Sequence, residues 1–276
     1  MNLNVENYFI STFSSQKSRI GDDGAVAGEW IYSKDLFFEN VHFKRHWLSP
    51  FQIGYKAMMV NISDAIAMNA IPRYALLGIG MPKSFSLNEM NELSSGIRTA
   101  ASEYGMEIIG GDTIGNTKLD LSITIISYAT DPLLRKGLKQ GDLIAYTGEI
   151  GKSLRGLRYL MAGGKVHSKS RFVAPKLRQS FVSQARRYLR CGLDISDGLC
   201  SDVEKLTRAN RLGMQWDKKI PKRVRCSGEE YEMLIAFSPA KRNAIRRIAG
   251  RTRTPLTIVA HAVRGKYTNR CKSHHF

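Results

Sequence analysis

The acidic residues of this chain recur at the ends of apolar runs, which restricts how those runs can pack. Only 24 of the 276 residues are acidic, against 42 basic ones. The acidic clusters are flanked by glycine or serine: Gly21-Asp22-Asp23, Ser33-Lys34-Asp35, Asn61-Ile62-Ser63-Asp64, Gly110-Gly111-Asp112-Thr113 and Asp194-Ile195-Ser196-Asp197-Gly198. A carboxylate is costly in an apolar core but is a good ligand for Mg²⁺, an ion that usually accompanies nucleotide phosphate. The pattern therefore indicates phosphate-transfer chemistry.

Length and composition indicate a folded protein with room for two domains. Of the 276 residues, 43% are hydrophobic and 9% are aromatic, so a well-buried core is expected. No run of about 18 apolar residues occurs, and the sequence therefore predicts no transmembrane helix and no membrane partner. The first residues lack the basic and apolar regions of a signal peptide, so the expected location is the cytoplasm.

All four cysteines, Cys191, Cys200, Cys226 and Cys271, fall in the last third of the chain. They form no C-x-x-C pair and show no spacing typical of zinc ligands. In a reducing compartment we predict that all four are free thiols.

The formal charge of +18 has two explanations. It can attract an anionic partner such as a nucleotide, a sugar phosphate or a nucleic acid, or it can be a basic surface that keeps the protein soluble. The excess lies mainly in the second half of the chain and is not interleaved with aromatic residues, as a base-stacking surface would be. Solubility is the favoured explanation for most of these charges, and a nucleic-acid-binding protein is the alternative from a different class.

Hydrophobic periodicity predicts alternating strands and helices. We expect strands at 30–38, 74–81, 106–109, 119–129, 143–146, 192–195, 231–237 and 256–263, and helices at 52–70, 87–104 and 239–249, with others from about 153, from near Pro175 and from Ser196 or Asp197 to about 210. Residues 211–228 indicate an exposed connection. The alternation predicts an α/β (α+β) fold in which helices pack on mixed sheets. A turn at Asp131-Pro132 suggests two domains, residues 1–131 and 132–276.

The helix predicted at 52–70 is apolar nearly all round, so we expect it to be buried. Asn61 and Asp64 lie three residues apart and therefore share one face of it. A buried carboxylate needs a metal ion or a hydrogen-bond network to offset its desolvation, which makes Asp64 a candidate ligand. Pro72 is expected to stop the helix.

Two glycine-containing motifs can place a phosphate. In Gly110-Gly111-Asp112-Thr113 glycine lets a phosphate approach backbone N–H groups and the aspartate can hold the accompanying Mg²⁺, although such a sequence alone is more often only a turn. Asp194 and Asp197 flank a predicted helix start, where Ser196 and backbone N–H groups can contact a phosphate or where one residue is simply the N-cap. No G-x-x-x-x-G-K-[ST] motif occurs, so a P-loop is excluded.

The order of the motifs along the chain closely resembles that of the thiamine-monophosphate kinase family, within the aminoimidazole ribonucleotide synthetase-like superfamily. The resemblance runs from about residue 20 to about residue 237. It adds Glu39-Asn40-Val41-His42-Phe43, Lys56-Ala57, Met68 and Gly228-Glu229-Glu230-Tyr231-Glu232 to the clusters named above. It implies the two-domain kinase fold of that superfamily and an ATP-dependent enzyme that converts thiamine monophosphate to thiamine diphosphate by direct in-line transfer with several Mg²⁺ ions.

The resemblance also implies roles for individual residues. Metal ligands would be Asp23, Ser33, Asp35, Asp64, Asp112, Asp194 and Asp197. Contacts with ATP would come from Tyr104, Gly111, Asp112, Arg135 and Ser196, and contacts with the thiamine phosphate from His42 and Glu229. No covalent intermediate is expected, and the implied partners are ATP, thiamine monophosphate and a second copy of the chain bound through the N-terminal domain, without nucleic acid.

This sequence departs from the family pattern at several positions. Lys34 stands where the family usually has threonine, and a lysine there could replace a cation. Glu230 stands where aspartate is usual. The aromatic residue that precedes the ending His274-His275-Phe276 in the family, and would stack on the thiamine ring, is absent.

Sister enzymes of the superfamily are the closest alternatives. A selenophosphate synthetase would need a reactive cysteine near its N-terminus, but Cys191 is the first cysteine here. A hydrogenase-maturation carbamoyl dehydratase would end on a cysteine, whereas five residues follow Cys271. An aminoimidazole ribonucleotide synthetase would not be expected to combine the motifs at 39–43 and 228–231. A nucleic-acid-binding protein would show strongly salt-dependent affinity for DNA or RNA.

Overall fold

The computed structural model describes residues 5–13 and 19–271. Its helices are α1 (Val5–Phe13), α2 (Pro50–Ala67), α3 (Leu87–Glu103), α4 (Lys152–Met161), α5 (Gln179–Ala185), α6 (Leu199–Ala209), α7 (Lys222–Arg225) and α8 (Arg242–Arg251), with short 3₁₀ helices at Arg186–Tyr188 and Pro239–Lys241. Its strands are β1 (Ala25–Ala27), β2 (Trp30–Phe38), β3 (Ile71–Pro82), β4 (Glu107–Asn116), β5 (Asp120–Tyr128), β6 (Leu143–Thr147), β7 (Cys191–Asp194), β8 (Gly213–Trp216), β9 (Met233–Phe237) and β10 (Leu256–Val263). The strands form two five-stranded sheets, and the predicted α/β fold class is confirmed.

The first sheet has the strand order β1-β2-β5-β3-β4. Strands β3 and β4 are parallel and the other neighbours are antiparallel, so this sheet is mixed. On β5, Leu121, Ile123 and Ile125 are buried, while the residues between them are only half-buried. This alternation defines an inner face, on which α2 packs, and an outer face on the other side.

Helix α2 is buried along most of its length, as predicted. Two glycines allow α2 to lie directly against α3. A Cβ atom on Gly54 would overlap the carbonyl oxygen of Leu93, and one on Gly96 would overlap that of Phe51. The close crossing fixes α2 in place, together with Asp64 that it carries.

The ends of α2 follow from its sequence. Ser49 and Gln52 form a capping box at its start, which satisfies two free backbone N–H groups. The helix ends at Ala67, and Asn69 then adopts a left-handed backbone with φ 56°. Pro72 lies in β3 rather than acting as the helix stop, because the chain has already turned at Asn69.

The second sheet has the strand order β7-β9-β6-β10-β8, and its described pairings are antiparallel. Alternate residues of β9 face two different apolar clusters. Met233 and Ile235 contact the main core that includes α2, whereas Leu234 and Ala236 face the cluster that includes residues of α6. Both faces of β9 are therefore covered, which explains its uninterrupted apolar sequence.

Several boundary predictions were wrong. Helix α5 begins at Gln179 rather than near Pro175, and its N-cap residue Arg178 has a non-helical backbone and a buried ion pair. Residues 110–113 lie within β4 and not in a loop after it. The segment 211–228 contains β8, an edge strand on β10, and the short helix α7.

The start of α6 also differs from the prediction. Its N-cap is Gly198, with φ 100° and no side-chain cap, so neither Ser196 nor Asp197 caps it. The backbone N–H of Asp197 instead donates a hydrogen bond to the carboxylate of Asp202 at 3.1 Å. This bond ties the residue before the N-cap to the start of α6, where a carboxylate also interacts favourably with the helix dipole.

The prediction of four free thiols was wrong for two of them. Cys226 and Cys271 form a disulfide, and Cys191 and Cys200 are free and buried. The bonded residues are 45 positions apart, and only the tertiary fold brings them together. Among the described helices none is long and apolar enough to cross a membrane.

Candidate active site

Three carboxylates from separate parts of the fold meet in one place. Asp23 precedes β1, Asp64 lies on α2, and Asp194 ends β7. One oxygen atom from each lies within 4.8 Å of the other two. These three residues, which we name the acidic cluster, were all predicted as metal ligands, and the fold brings them together from both halves of the chain.

Burial and mutual repulsion raise the pKa values within the acidic cluster. For Asp64 the largest cause is desolvation, followed by the charges of Asp35, Asp194 and Asp23. For Asp194 desolvation is again the largest cause, with Asp23 next, while a hydrogen bond of 2.6 Å from the Ser63 hydroxyl acts in the opposite direction. Carboxylates that repel one another in a buried site favour the binding of a cation.

Strand β2 places two more oxygen-bearing side chains on the inner face of the first sheet. Ser33 and Asp35 lie two residues apart and therefore share that face. The backbone N–H of Asp35 donates to the Asn61 side chain at 2.9 Å, which ties β2 to α2. The Ser33 hydroxyl is buried and makes no hydrogen bond within the described part of the chain. Such a hydroxyl is available to a ligand.

The donor set at this position suits a hard divalent cation. Asp23, Asp64 and Asp194 offer only oxygen atoms, as do Asp35, whose charge acts on Asp64, and Ser33 on the same face of β2. Mg²⁺ prefers oxygen ligands and usually retains several water molecules, so it does not need a closed protein cage. The residues present therefore fit Mg²⁺.

Arg135 is a cation at the edge of the acidic cluster. Its guanidinium forms an ion pair with Asp23, and its backbone N–H donates to Asp22 at 2.6 Å. Burial raises the pKa of Asp23, and Arg135 opposes that shift. Burial alone would lower the pKa of Arg135, but Asp23 outweighs it and the net shift is upward. The Asn210 side chain donates to the Arg135 carbonyl at 2.7 Å and so holds this loop against α6.

A half-buried lysine on α6 was not predicted from the sequence. The Lys205 Nζ lies 2.7 Å from Asp197 Oδ2 and 2.9 Å from Asp202 Oδ1. Burial raises the pKa of Asp202 to about 6. Asp197, predicted as a metal ligand, thus pairs with Lys205 and lies outside the three converging carboxylates. The spacing of Asp202 and Lys205 resembles an ordinary surface pair on a helix, which is why this contact could not be predicted from the sequence.

Glu229 is held by another lysine, Lys56, which is fully buried. The Lys56 Nζ donates to Glu229 at 2.7 Å and lies 3.6 Å from the centre of the Phe172 ring. Burial lowers the pKa of Lys56, and Glu229 opposes this shift. The Glu229 N–H donates to the Ser196 carbonyl at 2.7 Å, so two predicted contact residues lie side by side. Lys56 was part of the family motif but had no predicted role, although a lysine in an apolar helix is an informative signal.

His42 is fixed by the backbone of β2. The Phe38 N–H donates to its Nδ1 at 3.0 Å, and the ring stacks on Phe37 with centroids 5.5 Å apart. Because Nδ1 accepts a hydrogen bond, the proton of the neutral ring lies on Nε2. That nitrogen is therefore a donor.

Three predicted contact residues are not brought to the acidic cluster within one chain. Tyr104 caps the end of α3 and packs on the core, where burial raises its pKa to about 12. A Cβ atom on Gly111 would overlap the Leu77 carbonyl oxygen, so strand pairing itself requires glycine there. Asp112 is exposed on β4 and accepts a hydrogen bond from the Thr113 N–H at 2.8 Å.

The structure also locates the departures from the family pattern. The Lys34 Nζ lies 3.4 Å from the Thr124 hydroxyl on the outer face of the first sheet, so within one chain it faces away from α2 and Asp64. Glu230 accepts hydrogen bonds from the Gly151 and Ser153 N–H groups at the start of α4. It therefore stabilises a helix N-terminus. The ending 274–276 lies outside the described residues.

Known proteins resemble this chain in sequence, beginning with its N-terminal part. The family model described as AIR synthase related protein, N-terminal domain, matches residues 21–129, the part that contains the first sheet and two members of the acidic cluster. The chain is also 34% identical over 232 residues to a thiamine-monophosphate kinase of Leptospira interrogans, which covers 76% of this chain and 75% of that protein. It is 34% identical over 219 residues to the Bacillus subtilis thiamine-monophosphate kinase, covering 73% and 67%. The chain belongs to the thiamine-monophosphate kinase family.

Solved structures share the fold over nearly the whole chain. Thiamine monophosphate kinase from Aquifex aeolicus matches with a TM-score of 0.83 at 23% identity, covering 95% of this chain and 94% of that one. AaThiL complexed with AMPPCP and TMP matches with a TM-score of 0.86 at 23% identity, covering 98% and 96%. A chain of the HypE-HypF complex matches with a TM-score of 0.79 at 14% identity, covering 95% and 93%. Because the fold extends to hydrogenase maturation proteins, the fold alone does not specify the substrate.

Proposed function

We propose that this chain transfers the γ-phosphoryl group of ATP to thiamine monophosphate and releases thiamine diphosphate and ADP. Membership of the thiamine-monophosphate kinase family supports this reaction, as does the AMPPCP and TMP complex of a protein with the same fold. The observation that carries the proposal is the convergence of Asp23, Asp64 and Asp194 in one place, where Asp194 is buried and the other two are partly buried. Such a site suits the cation that two polyanionic substrates require.

On the donor side, we propose that the acidic cluster holds Mg²⁺ together with Asp35 and Ser33. When bound, Mg²⁺ would neutralise charge on the phosphates and align them. Arg135 adds a fixed planar cation that can donate two parallel hydrogen bonds to phosphate oxygens. Its ion pair with Asp23 holds the guanidinium at the edge of the cluster before any nucleotide binds.

On the acceptor side, we propose that His42 and Glu229 contact thiamine monophosphate. The Nε2–H of His42 can donate to the acceptor phosphate, because Nδ1 is already occupied by the Phe38 N–H. Lys56 holds the Glu229 carboxylate in one position, and a fixed contact lowers the cost of orienting the substrate. A phosphate acceptor is already nucleophilic at neutral pH, so the site needs no strong general base.

The function is tested by incubating the purified protein with Mg²⁺, ATP and thiamine monophosphate and separating the products by chromatography. We expect thiamine diphosphate and ADP in equal amounts, and no product when a chelator removes the divalent cation. Thiamine and an aminoimidazole ribonucleotide precursor serve as comparison substrates. Turnover of the aminoimidazole precursor without formation of thiamine diphosphate would show that the protein is a sister enzyme of the superfamily.

We further propose that two copies of the chain pair through the outer face of the first sheet. Side chains on that face form an exposed apolar surface that includes Trp30, Tyr32, Leu36, Leu76 and Ile114. Contiguous apolar surface of this kind marks an interaction site. Two copies of one face can bury each other around a twofold axis.

Pairing predicts that Leu36→Lys makes the protein monomeric, because the new charge would have to be desolvated in the interface. Leu36 is 47% exposed in the single chain, so the substitution should not disturb the core. Sedimentation velocity checks the mass. Leu87→Lys is the matched control, since Leu87 is 79% exposed at the start of α3 and should leave the mass unchanged. A wild-type protein that sediments as a monomer would contradict the pairing.

The same face offers a route by which Asp112 can reach an active site. Leu36, Ser122, Gly78 and Asp112 occupy one register row across β2, β5, β3 and β4. Residues directly opposite each other in a sheet point to the same face, so Asp112 lies on the outer face with Leu36. We propose that Asp112 acts as a ligand towards the second copy.

Two further properties follow from the proposed reaction. ATP and a thiamine phosphate are cytoplasmic metabolites, which supports a cytoplasmic location. The acidic cluster would repel a nucleic-acid backbone, so we propose no nucleic-acid partner despite the charge of +18. Weak binding to DNA or RNA that ignores the aspartates would instead reflect the basic surface.

A further inference from the structure

Three sulfur atoms meet at a position separate from the acidic cluster. Cys200 lies in the first turn of α6, Cys226 caps the end of α7, and Cys271 lies in the segment after β10. The sulfur atom of each residue lies within 4.8 Å of the sulfur atoms of the other two residues. Cys226 and Cys271 are joined by a disulfide and Cys200 is a free thiol. We name these three residues the sulfur cluster.

We propose that the sulfur cluster, once its disulfide is reduced, is a binding site for a thiophilic divalent cation such as Zn²⁺. Thiolate sulfur binds Zn²⁺ at about 2.3 Å, so neighbouring sulfurs in a tetrahedral site lie about 3.8 Å apart. All three sulfurs already lie within 4.8 Å of one another, and those of Cys226 and Cys271 separate when their bond is reduced. Zn²⁺ accepts three protein ligands and completes its coordination with a solvent molecule.

Reduction of the disulfide and the subsequent binding of the cation conserve both electrons and protons. A dithiol reductant gives two electrons to the Cys226–Cys271 bond and becomes a disulfide itself, while the two cysteines leave as thiols. The cation then displaces three protons, one from each thiol, and the loaded site carries a net charge of −1. A reducing compartment favours the thiol state of the protein, and therefore the state that binds the metal.

Neighbouring groups can compensate this negative charge. The Arg225 side chain lies close enough to Cys200 and Tyr267 to influence the pKa values of both groups. Its Nε atom is buried and makes no hydrogen bond within the described residues, so it is a donor that a thiolate can satisfy. Tyr267 is already hydrogen-bonded to the Cys200 sulfur. The site thus provides a cation and a hydroxyl donor beside three sulfur ligands.

The ion would fasten three segments that are already in contact. The Asn269 side chain donates to the Ser201 hydroxyl at 2.9 Å and accepts the Cys271 N–H at 2.8 Å, which ties the segment after β10 to α6. A Cβ atom on Gly198 would lie 3.1 Å from the Ser227 carbonyl oxygen, so the loops before α6 and after α7 touch. These loops carry Ser196 and Glu229. The ion would therefore fasten these loops, with solvent at its fourth position, and its binding does not depend on the proposed kinase reaction.

The test uses the full-length protein, fully reduced with a dithiol, exchanged into metal-free buffer and titrated with Cd²⁺ and then with Zn²⁺. We expect one Cd²⁺ per chain, with a thiolate-to-metal charge-transfer band that Zn²⁺ displaces. Cys200→Ser, Cys226→Ser and Cys271→Ser should each reduce the affinity at least about tenfold and weaken the band. Cys191→Ser is the matched control, because Cys191 is a buried free thiol in β7 outside the sulfur cluster, and it should bind Cd²⁺ like the wild type.

Circular dichroism of each variant separates loss of ligand from loss of fold, and Cys200→Ala provides a second substitution at that position. Uptake of Cd²⁺ by Cys200→Ser with unchanged affinity would overturn the proposal, because two cysteines alone would then account for the binding. The absence of metal uptake by the reduced wild type would overturn it as well. If that protein instead reoxidises to a mixture of Cys226–Cys271 and Cys200–Cys271 disulfides, the cluster is a thiol–disulfide exchange site and not a metal site.

Discussion

Replacement of Asp64 by asparagine is expected to abolish phosphoryl transfer and yet to stabilise the metal-free protein. The activity should fall by about a thousandfold, a loss typical for removal of one group that stabilises transition-state charge. Stability should rise, because burial and the charges of Asp35, Asp194 and Asp23 hold the pKa of Asp64 well above its usual range. Asparagine keeps the shape of the side chain and removes the buried charge.

The pH dependence of stability shows in which direction the Asp64→Asn substitution should change the stability of the metal-free protein. An unfolded aspartate has a pKa of about 3.9, and the folded value of Asp64 lies above it. As the pH rises from about 4 towards the folded value, the unfolded chain releases the proton that the folded protein retains, so the protein loses stability across that window. Asp64→Asn should show a smaller loss, and Mg²⁺ should restore stability to the wild type.

Thermal unfolding in chelator at about pH 5 and about pH 8, with the kinase assay, checks both parts. Asp217→Asn is the matched control, since Asp217 is partly exposed and pairs with His261 at the edge of the second sheet. It should retain full activity. An Asp64→Asn protein that keeps more than about a tenth of the activity would contradict a ligand role. One that melts at a lower temperature in chelator would show that the carboxylate stabilises the fold.

The acidic cluster could be predicted because each of its members breaks a local pattern that is visible in the sequence. Asp64 is the one carboxylate of a largely apolar helix, and Asp194 ends an apolar strand. Their meeting with Asp23 could be expected only through the family resemblance, because no spacing rule relates residues from both halves of a chain. The position of Asp112 on the outer face was not foreseen, since it depends on the register of β3 against β4.

The lysines of the site were harder to predict than its acids. Lys205 lies three residues after Asp202, a spacing that is common on exposed helix surfaces, and only the packing of α6 shows that Asp202 is fully buried. The Cys226–Cys271 disulfide depends on the path of the chain after β10. Tertiary packing therefore decides these features.

The buried ion pair between Arg178 and Glu232 predicts the largest effect on stability. The guanidinium donates two hydrogen bonds of 2.6 Å to the carboxylate, and the Thr147 hydroxyl donates a third at 2.8 Å. Both side chains are less than 5% exposed. Removing one partner leaves the other charge buried without compensation, which costs about 3–5 kcal/mol.

Glu232→Gln should therefore lower the free energy of unfolding by about 3–5 kcal/mol, measured by urea denaturation. The exposed pair of Lys152 and Glu149 supplies the control: Glu149→Gln should cause no measurable change, because solvent screens that pair. Arg178→Met combined with Glu232→Gln should cost less than the sum of the single changes, since the double variant no longer leaves a buried charge unpaired. Strictly additive effects, or a loss of less than about 1 kcal/mol in Glu232→Gln, would show that the pair is not desolvated as the structure describes it.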